Sequence, residues 1–396
     1  MRVFLLGAGA SKGYTGSKSG ITPPLARDFF ETFYNLDIAG DRNVLVGNIV
    51  SYVRDTRGVQ PHEIVTWSED VEAFLSEVQG ELLNRPTDPR DKFRYTRTYD
   101  EMIFLFASVL NEIQNGSVCE SYSKLAALST EDDSLVTFNW DTLLDRALAE
   151  KSTWTTDEGY GLAFSGIYRD GWELARSGGT ARRLWKLHGS TNWLMPYYTY
   201  HFEADQWAFS NSTIRESDRP IFCFEKSLSE YETYGGRSRA GYEPFSYYYY
   251  PPNLPIDAHV NAPGFSQLRM GLPSGSATVN PENKEAMPLL VPPVLSKDYE
   301  LLGNVLEPVW SGAEASLVAC DELHIVGYSF PVTDKRAVKL LQDACSKRSD
   351  KLKVIVANPF PADIQPRLEA ALGDRVAVEV RTEVFNEYLA WLERVS

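Results

Sequence analysis

Two points in this chain place residue types suited to proton transfer and sugar binding at the tip of an apolar run. His188 closes the run Leu184 to Leu187 and is followed by Gly189 and Ser190. An imidazole is the usual general base near neutral pH, worth roughly 10²- to 10⁴-fold in rate when it reaches its target. A histidine at such a tip also serves as a plain structural residue. Asn139 and Asp141 stand in Thr137-Phe138-Asn139-Trp140-Asp141, behind the run that starts at Ser134. A side-chain amide donates and accepts at once, which suits holding a ribose hydroxyl or a water, while the carboxylate can orient the amide or bond ribose itself. Both side chains also suit the capping of a helix expected over residues 143–150. His62, His201, His259 and His324 lack this setting, and His324 lies inside an apolar strand, where a core role is expected.

Three further tips are rich in glycine or small polar residues. Gly7-Ala8-Gly9-Ala10-Ser11 follows Val3 to Leu6. Such a loop lets a backbone approach a pyrophosphate, and a helix opening behind it would point N–H groups at the anion. The dinucleotide fingerprint needs a third glycine where Lys12 stands, and an acidic residue ending the next strand, which is missing; hydride transfer is disfavoured. A tight turn uses the same residues. Gly327-Tyr328-Ser329-Phe330-Pro331, with Asp334 beyond it, and Asn358-Pro359 have the types to reach phosphates, and equally those of ordinary strand-to-helix turns.

The elements that must position these tips follow from period. The runs Val3 to Leu6, Ser134 to Phe138, Leu184 to Leu187, Leu323 to Val326 and Lys353 to Ala357 are short and mostly apolar, as in strands buried on both faces, and Arg375 to Val380 reads as one more strand before a final helix. Helical stretches separate them, so the expected fold is α/β, a Rossmann-like parallel sheet. Ligands of such sheets bind outside the carboxyl ends of the strands, where the strand order reverses. Residues 41–128 lack the strand rhythm and show amphipathic stretches at Asp70 to Val78 and Tyr99 to Ile113, which reads as a helical insertion. Residues 196–285 read as a second, irregular Tyr/Pro-rich insertion, with four tyrosines at 247–250, Pro251-Pro252 and turn-rich segments. The tyrosine run suits a stacking platform or partner surface, or a packed β-ribbon. The whole is expected as one domain, with 1–40, 129–195 and 286–396 as its core.

Composition bounds the classes open to it. At 396 residues, 43% apolar and 12% aromatic, the chain can bury a sizeable core. Thirty-nine basic against 54 acidic residues give a net charge of −15 with no basic run, which disfavours nucleic-acid binding by this chain alone. Cys119, Cys223, Cys320 and Cys345 form no C-x-x-C pair, so neither a zinc knuckle nor a disulfide scaffold is expected. The apolar start is too short for a signal peptide, and no stretch approaches the ~20 apolar residues of a membrane span. A cytoplasmic protein without membrane contact is expected.

In this order, GAGAS, TFNWD, KLHGS, GYS and a strand ending in Asn-Pro, the motifs resemble the sirtuin family over most of the chain. The resemblance implies NAD as substrate. It places Gly7, Ala8, Gly9, Ala10 and Ser11 at the pyrophosphate, Asn139 and Asp141 at the nicotinamide ribose, His188 as catalytic base, and Gly327, Tyr328, Ser329 and Asn358 near the phosphates and adenosine. The paired zinc cysteines of protein-deacylating sirtuins are missing, so no zinc is expected. The GYSFPVTD form and the insertions look like bacterial sirtuin-like effectors of antiphage defence, which hydrolyse NAD to nicotinamide and ADP-ribose. That likeness implies a homo-oligomer, with a HerA-like ring ATPase as partner. The competing readings are a zinc-free NAD-dependent deacylase or ADP-ribosyltransferase, and a non-catalytic NAD or ADP-ribose sensor.

Overall fold

A computed structural model describes residues 1–36, 47–60, 63, 68–84, 88–169, 172–178, 182–196, 199–203, 206–210, 221–228, 267–269, 283–292, 304–331, 334–372 and 375–395. The tyrosine run 247–250, Pro251-Pro252, His62 and His259 lie outside these residues.

The six runs form one parallel sheet. Its strands are β1 (Arg2–Leu6), β2 (Ser134–Thr137), β3 (Arg183–Lys186), β4 (Glu322–Val326), β5 (Leu352–Ala357) and β6 (Val376–Arg381), in spatial order β6-β5-β4-β1-β2-β3. Val3, Phe4, Leu5 and Leu6 are fully buried because β1 is central and covered on both faces. The order is that of a doubly wound sheet. The chain runs outward from β1 to β3, then returns to the other side of β1 and runs outward to β6, so the reversal lies between β1 and β4.

The helices between strands bury one stripe each. In Lys335–Ser346 the buried positions are Ala337, Leu340, Leu341, Ala344 and Cys345, the spacing of a single helical face. Helices Glu307–Ala319, Lys335–Ser346 and Pro361–Leu372 pack in series, while Glu120–Leu128 packs between Leu143–Lys151 and the C-terminal helix Phe385–Val395. Right-handed crossovers on either side of the reversal put the two sets on opposite faces. Helices Gly47–Arg57, Val71–Leu83 and Pro89–Gln114 stand in the segment read as a helical insertion, packed on one another. Val71–Leu83 starts where Asp70 accepts from the N–H groups of Glu72 and Ala73.

A second sheet was not read from the sequence. Gly189–Pro196 and Asn283–Leu290 pair antiparallel, flanked by Phe222–Phe224, Gly166–Tyr168, Trp172–Glu173 and Gln267–Arg269. Residues 189–195 and 286–290, assigned above to the parallel core, therefore belong to this sheet. Gly189 makes the departure possible: its φ is +79°, and a Cβ there would run into the Leu289 carbonyl. Within 196–285, Thr199–Glu203 and Gln206–Ser210 form a hairpin.

Candidate active site

The loops that follow the carboxyl ends of all six strands line one cavity of about 800 Å³. Gly7 to Ser11, Asn139, Asp141, His188, Gly327, Tyr328, Ser329 and Asn358 all stand in its wall. Asp334 and Glu383 do as well. The structure thus brings together every residue singled out for chemistry, at the strand-order reversal.

The glycines of the first loop face protein. Gly7 and Gly9 donate their N–H groups to Val326 and Gly327 carbonyls at 3.0 and 2.9 Å. A Cβ on Gly7 would come within 2.6 Å of the Gly327 oxygen, and one on Gly327, whose φ is +63°, within 2.4 Å of Ala10 N. Glycine is needed here so that the β1 and β4 loops can touch across the reversal. The helix behind the loop is only Ala8–Ser11, four residues, shorter than the helix expected to offer its N-terminus to an anion.

Ser11, placed above with the pyrophosphate, turns its hydroxyl inward. It donates to Asp141 Oδ2 at 2.8 Å. With its one proton so used, it accepts from Asn139 Nδ2 at 2.9 Å and from the Tyr122 hydroxyl at 2.9 Å. Asn139 Nδ2 also donates to the Gly7 carbonyl at 3.0 Å. That carbonyl can only accept, so the amide's orientation is set by its partners. Asn139 Oδ1 meets no donor among the described residues and is the atom Asn139 offers to the cavity.

Asp141 both caps and orients. Its Oδ1 accepts from Leu143 N at 3.1 Å, at the start of the helix Leu143–Lys151, while Oδ2 holds Ser11. Burial pushes its carboxyl above the usual range, against the pull of Lys186 and of the Ser11 bond. Asn139 caps nothing; its backbone N–H is taken by Thr137 Oγ1 at 3.0 Å.

His188 is buried between aromatic rings, Phe138 at 5.0 Å and Trp310 at 6.4 Å between centroids. Its Nε2 lies 3.3 Å from Asp334 Oδ2. Tyr328 stacks on Phe138 at 4.4 Å and donates its hydroxyl to the same Asp334 oxygen at 3.1 Å. Ser329 is exposed, and its carbonyl accepts from Arg367 at 3.2 Å. Asn358 Oδ1 accepts from Phe360 N at 2.8 Å, closing a turn ahead of the helix Pro361–Leu372. Sequence reasoning missed the apolar wall, which includes Phe29, Phe106, Leu110 and Val71. Phe106 and Leu110 lie on one face of Pro89–Gln114, and a periodic pattern marks such a face as buried without saying against what. Lys12, paired with Asp28 at 2.9 Å, and Arg27 supply positive charge at the wall.

Among the described residues no cluster of three or more His, Cys, Asp or Glu stands close enough to hold a metal ion, and the four cysteines are buried and unlinked. Among the same residues no helix is long and apolar enough to cross a membrane.

No protein-family model matches the chain, and no curated protein matches it. Among solved structures it is similar to a sirtuin studied for substrate affinity, with TM-score 0.36 and 11% identity over all of this chain and 94% of that one. It is also similar to a Sir2 enzyme studied for mechanism and regulation, with TM-score 0.33 and 14% identity over all of this chain and 92% of that one. A third is Sir2 bound to an inhibitor, 2'-O-acetyl-ADP-ribose and a deacetylated peptide, with TM-score 0.36 and 11% identity over all of this chain and 93% of that one. Superpositions this loose decide nothing about chemistry, which rests on the site itself.

Proposed function

We propose that this chain is an NAD glycohydrolase, cleaving NAD to nicotinamide and ADP-ribose. The observation that carries the reading is the Asn139 amide, held by Gly7, Ser11 and Tyr122 so that Oδ1 is left for the cavity that His188 also lines. Nicotinamide on ribose is already a cationic leaving group, so its departure needs no general acid. It needs stabilisation of an oxocarbenium-like centre and a placed water. Asn139 Oδ1 accepts a hydrogen bond from the water or from a ribose hydroxyl, and its negative end favours the developing positive charge. The bond from ribose C1′ to the pyridinium nitrogen breaks with its electrons going to that nitrogen. The water oxygen bonds C1′, and its proton passes to His188, directly or through a ribose hydroxyl. Lys12 and Arg27 supply the positive charge that the pyrophosphate needs. A cavity of about 800 Å³ is within the usual range for a cofactor-sized ligand.

The purified chain is to be incubated with NAD, following nicotinamide and ADP-ribose by chromatography, beside His188→Ala and Asn139→Ala. Free ADP-ribose is expected from the wild type, with each substitution lowering turnover by at least about 10²-fold. NAD consumption undiminished in both variants overturns the assignment. Consumption only alongside an acylated peptide, with an acetylated ADP-ribose as product, makes the chain a deacylase instead. Unchecked NAD hydrolysis would exhaust its own cell, so on this reading the activity waits for a trigger, as in antiphage defence, through self-assembly or a partner such as a HerA-like ring ATPase. A monodisperse monomer by light scattering, fully active alone, removes that part of the proposal.

A further inference from the structure

We infer that Asp334 is a positioning residue for His188, itself held by the Tyr328 hydroxyl, so that the imidazole works as one member of a buried Tyr328–Asp334–His188 relay. It rests on the reading of His188 as the proton acceptor. In the sheet, β3 and β4 are separated by β1 and β2. The contact spans this gap: Asp334 Oδ2 meets both Tyr328 Oη at 3.1 Å and His188 Nε2 at 3.3 Å. Phe138, at the tip of β2, packs against the rings of both Tyr328 and His188.

Two features show that the carboxylate serves this contact at a cost to local structure. Asp334 is the residue ahead of the helix Lys335–Ser346, where an aspartate normally accepts from the helix's first N–H groups, yet its side chain makes no capping bond. Phe330, buried and four residues before Asp334, adopts φ +52°, a left-handed conformation uncommon for any residue but glycine. Strain of this kind persists where surrounding structure over-determines it.

A carboxylate on Nε2 holds the ring in one orientation, favours the tautomer with its proton on Nε2, and stabilises the imidazolium once a proton arrives. The other charged groups nearby are engaged elsewhere: Asp141 with Ser11, Lys186 with Asp145, and Arg336 with Glu307 over the face of Trp310. Asp334 is the anion seen in contact with this ring, at 3.3 Å.

The test is an NMR titration of the His188 imidazole, assigned with His188→Gln, in wild type, Asp334→Asn and Tyr328→Phe, with NAD turnover measured on the same proteins. Asp334→Asn is expected to lower the imidazole's titration midpoint by about one unit or more, to disturb its tautomer, and to cut kcat by about 10²-fold or more with KM little changed. The acid limb of the kcat/KM profile follows the titration to lower pH. Tyr328→Phe, which keeps the carboxylate, moves both readouts the same way by less, and covers the case in which Asp334→Asn fails to fold. An unmoved titration and tautomer in the folded variants overturn the relay, even where turnover depends on His188. A shifted titration with turnover insensitive to His188 upholds the relay and overturns the hydrolase reading alone.

Discussion

At the residue scale, the orientation of Asn139 decides what the cavity can do. Its amide hydrogens are spent on Gly7 and Ser11, so it meets substrate as an acceptor. Asn139→Asp keeps an oxygen toward the cavity, but the atom facing the Gly7 carbonyl and the Ser11 hydroxyl can no longer donate. A second carboxyl then competes with buried Asp141 for the single Ser11 proton. The expected result is a loss of turnover of at least about 10²-fold and a loss of stability of about 1–3 kcal/mol, read by product chromatography and urea unfolding. Stability unchanged from wild type would show that the network does not hold the amide. The spacing of Asn139 and Asp141 was legible because both follow one apolar run. That Ser11 mediates between them was not, since contact across neighbouring strands depends on register, and a glycine-flanked serine reads equally well as a phosphate ligand.

At the element scale, β3 is anchored beneath the site by a buried charge pair. Lys186 and Asp145 are both fully buried, with Nζ 3.0 Å from Oδ2, and Lys186 also donates to the Asp141 carbonyl at 2.5 Å. Tyr160 donates to the same Asp145 carboxylate. The strand that leads into His188 is thereby tied to the helix Leu143–Lys151 and to the turn that carries Asp141. Removing one partner leaves an uncompensated buried charge, so Lys186→Met is expected to cost about 3–5 kcal/mol, and Lys186→Met with Asp145→Leu much less. Additive losses in denaturant melts of the singles and the double would mean the two charges are not coupled. Lysine in an apolar run gives no hint of a partner, and the sequence reading passed over it. Five of the six strands were legible because burial writes a nearly continuous apolar run, whereas β6 is an edge strand exposed from Ala377 to Val380, where valines alternate with Ala377 and Glu379. The second sheet was not legible, because Gly166–Tyr168, Trp172–Glu173 and Phe222–Phe224 are two or three residues long, too short to show a period. The His188–Asp334 contact was equally hidden, since it joins loops at strand tips that are not neighbours in the sheet.

At the scale of the whole molecule, His324 joins three distant parts of the chain and sets a limit on acid stability. It stands in β4, stacks on Phe4 of β1 at 4.8 Å, and shares a 2.5 Å hydrogen bond through Nδ1 with the Tyr388 hydroxyl of the C-terminal helix. Its role in the core is the one its apolar setting implied. Burial holds its pKa down at about 4, against 6.5 in the unfolded chain, with Glu322, 3.7 Å from Nε2, offsetting part of the shift. The unfolded chain therefore binds this proton first as pH falls. The neutral ring's contribution is intact above about pH 6.5 and is lost progressively down to about pH 4, by about 3 kcal/mol in all at roughly 1.4 kcal/mol per unit. Asp141 acts in the opposite sense. Its raised pKa means the folded state binds the proton first, so acid relieves the strain of burying that carboxylate. A single melt at pH 5 would mix the two, whereas a difference between proteins separates them. Urea unfolding of wild type and of His324→Phe/Tyr388→Phe, which removes the titrating ring and the hydroxyl it would orphan, is expected to give curves whose stability gap narrows as pH drops from 7 to 4. A gap constant across that range would mean His324 titrates alike in both states, and that the contact between the start, middle and end of the chain carries no acid sensitivity.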